Sequence, residues 1–235
     1  MPGQKRDYSI FCTGIVCSFV VLSPIEAHAA LLVPSDLAVG QGYRLAFVTR
    51  DGITATSSAI ATYNNFVVAQ AALNPDLAGL AWSAIVSTPF VNAVDNVDCV
   101  GCNNVPIYLL DTTRLADSTA ALFSADLLEF FDVNQFDNVA SSYTWTGSFT
   151  NGTRSVHPAG AISVTSGYTD DTSSNWINFE YTGNTSNLSV YALSSELFVG
   201  GNPPTPVPEP SSLAVLGVGL LAALGLRARG SRAAS

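Results

Sequence analysis

The stretch "AISVTSGYTDDTSSNWINFEYTGN", Ala161 to Asn184, sets aromatic residues among Ser, Thr, Asn and Gly. It shares that texture with its neighbours "SYTWTGSFTNGTRS" (142–155) and "LSVYALSSELFVG" (188–200), and Asn151-Gly152 between them is a hairpin signal. The second half of the chain therefore reads as loop-rich β structure. Upstream, "QGYRLAFVT" (41–49) alternates as a strand and runs into the turn signal Arg50 to Gly52. In "ATSSAIATYNNFVVAQAALNP" (55–75), Ile60, Tyr63, Phe66, Val67, Ala71 and Leu73 fall at helical spacing, with Ser and Thr before them and Asn74-Pro75 as a stop. "AWSAIVST" (81–88) and "VPIYLLD" (105–111) have the β-branched and aromatic character of strands, and "STAALFSADLLEFFDV" (118–133) has room for one or two helical turns. No period of twenty to fifty residues recurs, which argues against a solenoid.

The two ends are built differently. Lys5 and Arg6 precede the apolar run "YSIFCTGIVCSFVVLSP", and Ala27-His28-Ala29 follows with the small residues of an A-x-A cleavage site. That order is the one of a secretory signal peptide over 1–29, cut after Ala29. Cys12 and Cys17 would leave with it. Cys99 and Cys102 remain, and in an exported protein the pair reads as a local disulfide before a catalytic dithiol or half a zinc site. At the other end, five prolines in Gly200 to Pro210 make a semi-rigid spacer. The uncharged run Leu213 to Leu226 would rise about 21 Å as a helix, short of a ~30 Å hydrocarbon core unless Ser211, Ser212 and snorkelling arginines extend it. Arg227, Arg229 and Arg232 form a basic flank, which stays cytoplasmic and leaves the body outside.

Val207-Pro208-Glu209-Pro210, the short apolar helix and the Arg cluster together resemble the PEP-CTERM sorting signal of Gram-negative bacteria. The resemblance implies recognition at the inner membrane by an exosortase, a transpeptidase-like integral protease, and release of the body to the envelope or extracellular matrix. The expected organisation is thus a signal peptide over 1–29, an extracytoplasmic domain over 30–200, a Pro-rich linker over 201–210, and a transmembrane sorting helix with basic tail over 211–235. In the body, "WSAIVSTPFVNAVDNV" (82–97), "VPIYLLDTTRLADSTAALF" (105–123), "YTWTGSFTNGT" (143–153) and "SSNWIN" (173–178) resemble landmarks of bacterial secreted domains related to the C-type lectin-like and endostatin-like fold. That resemblance implies an α+β domain with a long-loop region and two helices. The cysteines that pin lectin-like folds and the Glu-Pro-Asn or Gln-Pro-Asp triplet of their calcium-dependent sugar site are missing.

Between residues 30 and 200 four arginines and no lysine face fifteen acids, a net charge of −11. Phosphate backbones would repel such a body, so nucleic acid is a poor partner. His157 is the sole histidine after the signal, which leaves the usual acid–base arrangements short of parts and argues against an enzyme. Asp95/Asp98, Asp132/Asp137 and Asp170/Asp171 are carboxylate pairs from which a hydrolase could draw. No cofactor is expected. Calcium is the one candidate ion, with Asp170 and Asp171 as its ligands. Trp145 and Trp176 sit in polar sequence surroundings and are candidates for stacking on carbohydrate, whereas Trp82 reads as buried. The sequence thus points to a non-catalytic structural, adhesive or polysaccharide-binding protein, with exopolysaccharide and the exosortase as partners. A hydrolase of matrix polysaccharide and an unprocessed tail-anchored surface protein are its rivals.

Overall fold

The strand expected at residues 41–49 is the pivot of the molecule. In the computed structural model, which describes residues 33–98, 104–124 and 126–200, it forms β1 (Gly42–Val48), buried from Tyr43 onward. A strand hidden on both faces needs apolar side chains in both parities, and "YRLAFV" provides them at all but one position. The exception, Arg44, is 1% exposed. Its guanidinium donates to the Ser194 carbonyl (2.7 Å), Thr119 Oγ1 (2.9 Å) and the Val97 carbonyl (2.8 Å), so it pins three chain segments to β1. Burial pulls its pKa down to about 10 against the favourable charges of Asp98 and Glu196.

The remaining elements arrange themselves around β1: α1 (Ile60–Ala71), β2 (Trp82–Ala84), α2 (Ala93–Asn96), β3 (Ile107–Leu109), β4 (Arg114–Ala116), α3 (Thr119–Leu122), β5 (Tyr143–Trp145), β6 (Ser163–Tyr168), a 3₁₀ turn (Ser174–Trp176), β7 (Glu180–Gly183), β8 (Ser189–Ser194) and β9 (Leu197–Phe198). They form one mixed nine-stranded sheet of order β4-β3-β1-β8-β5-β6-β7, with β2 also on β8 and β9 also on β1. β1 runs parallel to β3 and antiparallel to β8. β8, buried along its whole length, meets β2 over Ala192 to Ser194 and β5 over Ser189 and Val190, so β2 and β5 lie end to end along one edge of it. The register slips by one residue between Ala46↔Leu193 and Tyr43↔Leu197, a bulge that carries the chain from β8 into β9.

This architecture corrects the expected α+β, lectin-like layout. The described body is dominated by strands, and α1 alone among its helices is longer than a single turn. The Ser/Thr/Asn-rich segments, read as loop-rich β structure, do pair as short strands, and many of their side chains become buried hydroxyls: Thr144, Thr146, Ser148, Thr165, Ser166 and Thr169 are all inside. No described helix is long and apolar enough to cross a membrane. The signal segment over 1–29 and the sorting helix over 211–235 lie outside the described residues.

An aromatic seam fills the core beside β8. Phe131 stacks on Tyr191 at 4.2 Å, Trp176 meets Tyr191 edge-on at 5.6 Å, and Phe123 packs on Trp176 at 6.1 Å. On the other side of β1, Phe47 and Trp82 make an edge contact at 4.7 Å, with the Trp82 indole donating to the Leu77 carbonyl (3.3 Å). Trp82 is buried, as its sequence context suggests.

Candidate functional site

At the outer half of the sheet the pairing of β5 with β6 sets Tyr143 directly opposite Tyr168, and their rings lie 5.2 Å apart. Beyond Tyr168 the chain reverses through Thr169-Asp170-Asp171. Asp171 Oδ1 accepts from the Ser173 amide (2.7 Å) and Ser173 Oγ (2.6 Å), and Oδ2 from the Asn175 side chain (2.9 Å). Those donors hold its carboxyl below the usual range and stabilise the turn that drives Trp176 into the core. Gly167 makes the return possible: a Cβ there would stand 1.8 Å from the Trp176 carbonyl oxygen. The chain then emerges at Phe179, whose ring lies 6.0 Å from Tyr143 and 5.9 Å from Tyr168.

The product is a three-ring surface. Tyr143 is 40% and Phe179 44% exposed, while Tyr168 is half-buried. Asp170 borders it: Oδ2 accepts from Ser141 Oγ (2.5 Å) and Tyr168 OH (3.3 Å), and Oδ1 from Thr169 Oγ1 (3.1 Å). The neighbouring Asp132 carboxyl is pushed up by burial, helped by the charges of Asp170, Glu129 and Asp111. On the opposite face of β5 the Tyr191 hydroxyl and Thr144 Oγ1 are buried near each other, with no other hydrogen-bond partner. Burial raises the Tyr191 phenol, the Thr144 hydroxyl offsets part of the rise, and Asp170, Asp132 and Asp171 add to it.

Exposed rings at sheet spacing with a carboxylate acceptor at their margin can do two things at once. The ring faces remove C–H surface of a flat ligand from water, and the acceptor orients its hydroxyl or amino donors.

The sequence's own candidates fall elsewhere. Trp145 is fully buried, its indole donating to the Ile53 carbonyl (2.7 Å), and Trp176 is 1% exposed in the aromatic seam, so neither offers a face to a sugar. Around Trp145 the polar neighbours Thr144 and Thr146 are themselves buried, whereas Trp176 turns inward from neighbours that stay at the surface, Ser174 among them. Asp170 and Asp171 are adjacent but point to different partners, and among the described residues no three His, Cys, Asp or Glu side chains are grouped to hold a metal ion. His157 is half-buried and packs on Tyr181 at 4.3 Å. Cys99 and Cys102 lie outside the described residues, as do Ala27, Ala29, Val207, Pro208, Glu209, Pro210, Arg227, Arg229 and Arg232. Sequence reading passed over Tyr143, Tyr168 and Phe179. The available signal was position: Tyr143 and Tyr168 end their strands and Phe179 precedes one, which leaves rings at the sheet's rim.

The described residues form a mostly β domain with aromatic rings exposed at the sheet's rim. What the rest of the chain adds is an address: the PEP-CTERM protein-sorting motif matches residues 206–230. The chain thus carries the signature of an exosortase substrate, a protein exported through the membrane and processed there by that membrane protein. The match is confined to the tail, and Arg232 lies just beyond it. No curated protein matches the chain.

Proposed function

We propose that this exosortase-sorted protein works in the cell envelope or extracellular matrix as a non-catalytic binder of polysaccharide, through the Tyr143–Tyr168–Phe179 surface. One observation carries the reading: three mutually packed aromatic rings, two of them openly solvated, beside a fixed carboxylate. Solvated rings on a folded domain lose water contact when a sugar ring covers them, and apolar area removed from water is worth roughly 25 cal/mol per Å². The uncharged, hydroxyl-rich composition of the body suits such a surrounding, since only 11% of the chain is charged.

The test is retention of the full chain, held in detergent, on insoluble glucans and chitin. Combining Tyr143→Ala with Phe179→Ala should reduce retention about tenfold, the equivalent of ~1.4 kcal/mol, with unfolding unchanged in cooperativity. Retention equal to that of the parent protein would overturn the reading. A hydrolase remains the rival because Asp132, with its raised carboxyl, stands beside Asp170. Release of reducing ends from the retained polymer, abolished by Asp132→Asn, would decide for it. Mass analysis of the C-terminus in the native host separates a sorted protein from an uncut tail-anchored one.

A further inference from the structure

Resting on that binding surface, we infer that its ligand is a glycan bearing free amino groups rather than a neutral or uronate polymer. Electrostatics around the rings carries the inference. Asp170 borders the platform, with Oδ2 2.5 Å from Ser141 Oγ and 3.3 Å from the Tyr168 hydroxyl, and Asp132 lies close enough to feel its charge. Glu180 follows Phe179 directly and is exposed.

No cation answers these acids, because each of the four arginines among the described residues is engaged elsewhere. Arg44 is buried against Ser194, Thr119 and Val97. Arg50 pairs with Asp51 at 3.2 Å and lies over the Phe136 ring. Arg114 pairs with Asp36 and Asp117. Arg154 donates to the Pro89 carbonyl.

A polymer of uronic acids or sulfated sugars would bring like charge to this margin, where close juxtaposition is repulsive. A protonated amino sugar does the opposite. Its ring covers Tyr143 and Phe179 while its ammonium donates to Asp170 Oδ2, an oxygen that already accepts from Ser141 and Tyr168 and is therefore held in place. Ring stacking would supply the contact area, and the carboxylate margin would choose among glycans.

Affinity electrophoresis of the full chain at pH 5.5 tests this, with glycol chitosan, glycol chitin, dextran and alginate in separate gels. At that pH both the amino groups and an ordinary carboxylate are charged. Glycol chitosan should retain the protein about tenfold more strongly than glycol chitin, with alginate weakest and the advantage lost in high salt. Asp170→Asn should remove roughly threefold to tenfold of the advantage on glycol chitosan and leave glycol chitin unchanged. An acidic protein sticks to any polycation, so the control is Asp76→Asn, which removes one charge beside Leu77 and Trp82 at the opposite end of β8 and should change nothing. Equal retention on glycol chitosan and glycol chitin overturns the inference, and so does equal loss with Asp170→Asn and Asp76→Asn. In either case, loss of glycol chitin retention with Tyr143→Ala/Phe179→Ala would leave the binding function standing. Retention on every polymer indifferent to the ring substitutions would sink the binding function as well.

Discussion

Side chains of β1 and β8 disappear almost entirely into the core, whereas β5, β6 and β7, hydrogen-bonded into the same sheet, end in rings that face water. The inner strands draw on apolar side chains of both parities and tolerate one charge, Arg44, by giving its guanidinium three acceptors. The outer strands bury hydroxyls and, Thr144 apart, satisfy those named here locally: Thr146 Oγ1 donates to the Ile177 carbonyl at 2.6 Å, and Ser155 and Thr165 share a hydrogen bond at 2.7 Å. A sheet can therefore be buried in a sequence as polar as this one if its Ser and Thr side chains bond to backbone close by. Aromatic residues within that polar setting then divide by depth, with Trp145 and Trp176 inside and Tyr143 and Phe179 at the rim.

The sharpest way to break this contrast is to truncate one ring of each kind. Trp176→Ala removes a buried indole that touches Phe123, Phe131 and Tyr191, and should lower unfolding stability by about 3–5 kcal/mol. Tyr143→Ala removes a half-solvated ring and should cost about 1 kcal/mol or less, from its cross-strand partner Tyr168. Denaturant titration of the two variants checks the pair. Equal losses would mean that Tyr143 belongs to the core and that the rim carries no free surface.

How far the sequence anticipates this division depends on what each signal measures. The positions of β1 and α1 were legible because an apolar run bounded by the Arg50–Gly52 turn signal and helical spacing from Ile60 to Ala71 are properties of the segments themselves; the alternation read at 41–49 did not anticipate that β1 is buried on both faces. The Asn151-Gly152 signal marks a real reversal, with Gly152 at φ +73°, but only an isolated Ser148–Arg154 bridge closes it and no strand pair flanks it. The helix start was less legible: Ser and Thr precede it, yet Ala59 is the N-cap and no side chain caps it. The sheet order was not legible, since β8 joins β1, β2 and β5 across more than a hundred residues to β1 and about fifty to β5. Depth was the costliest blind spot. Local polarity around Trp145 and Trp176 suggested exposure; strand pairing buried the first, and the 3₁₀ turn held by Asp171 buried the second.

A smaller test concerns two buried phenols. Tyr63 OH donates to the Ser57 carbonyl at 2.7 Å, whereas Tyr191 OH meets no carbonyl and has only the Thr144 hydroxyl near it. Tyr63→Phe should therefore lose about 1 kcal/mol, while Tyr191→Phe should gain about 1 kcal/mol by removing a hydroxyl that burial strips of water without return. Opposite shifts in melting temperature are the expected outcome. A loss at both positions would show that Tyr191 and Thr144 bond to each other in solution.

The smallest effect expected is also the most selective, because it changes sign with the carboxylate chosen. Asp132 has its carboxyl raised in the folded state by burial first and by Asp170, Glu129 and Asp111 after it. The native state then holds that proton more tightly than the unfolded chain does, so the group's contribution is fully present below about pH 4 and is lost as pH rises through the raised value. Asp132→Asn should accordingly match the parent near pH 3.5 and become the more stable of the two at pH 7. Asp171 runs the other way, since Ser173 and Asn175 lower its carboxyl. Its contribution is present above about pH 4 and lost as pH falls through the depressed value, so Asp171→Asn should be the less stable at pH 7 and converge with the parent in acid. Thermal melts at the two pH values give both differences. Parallel behaviour of the two variants would mean that Asp132 sits in ordinary solvent, and the acidic margin next to the rings would then be no more selective than the rest of the surface.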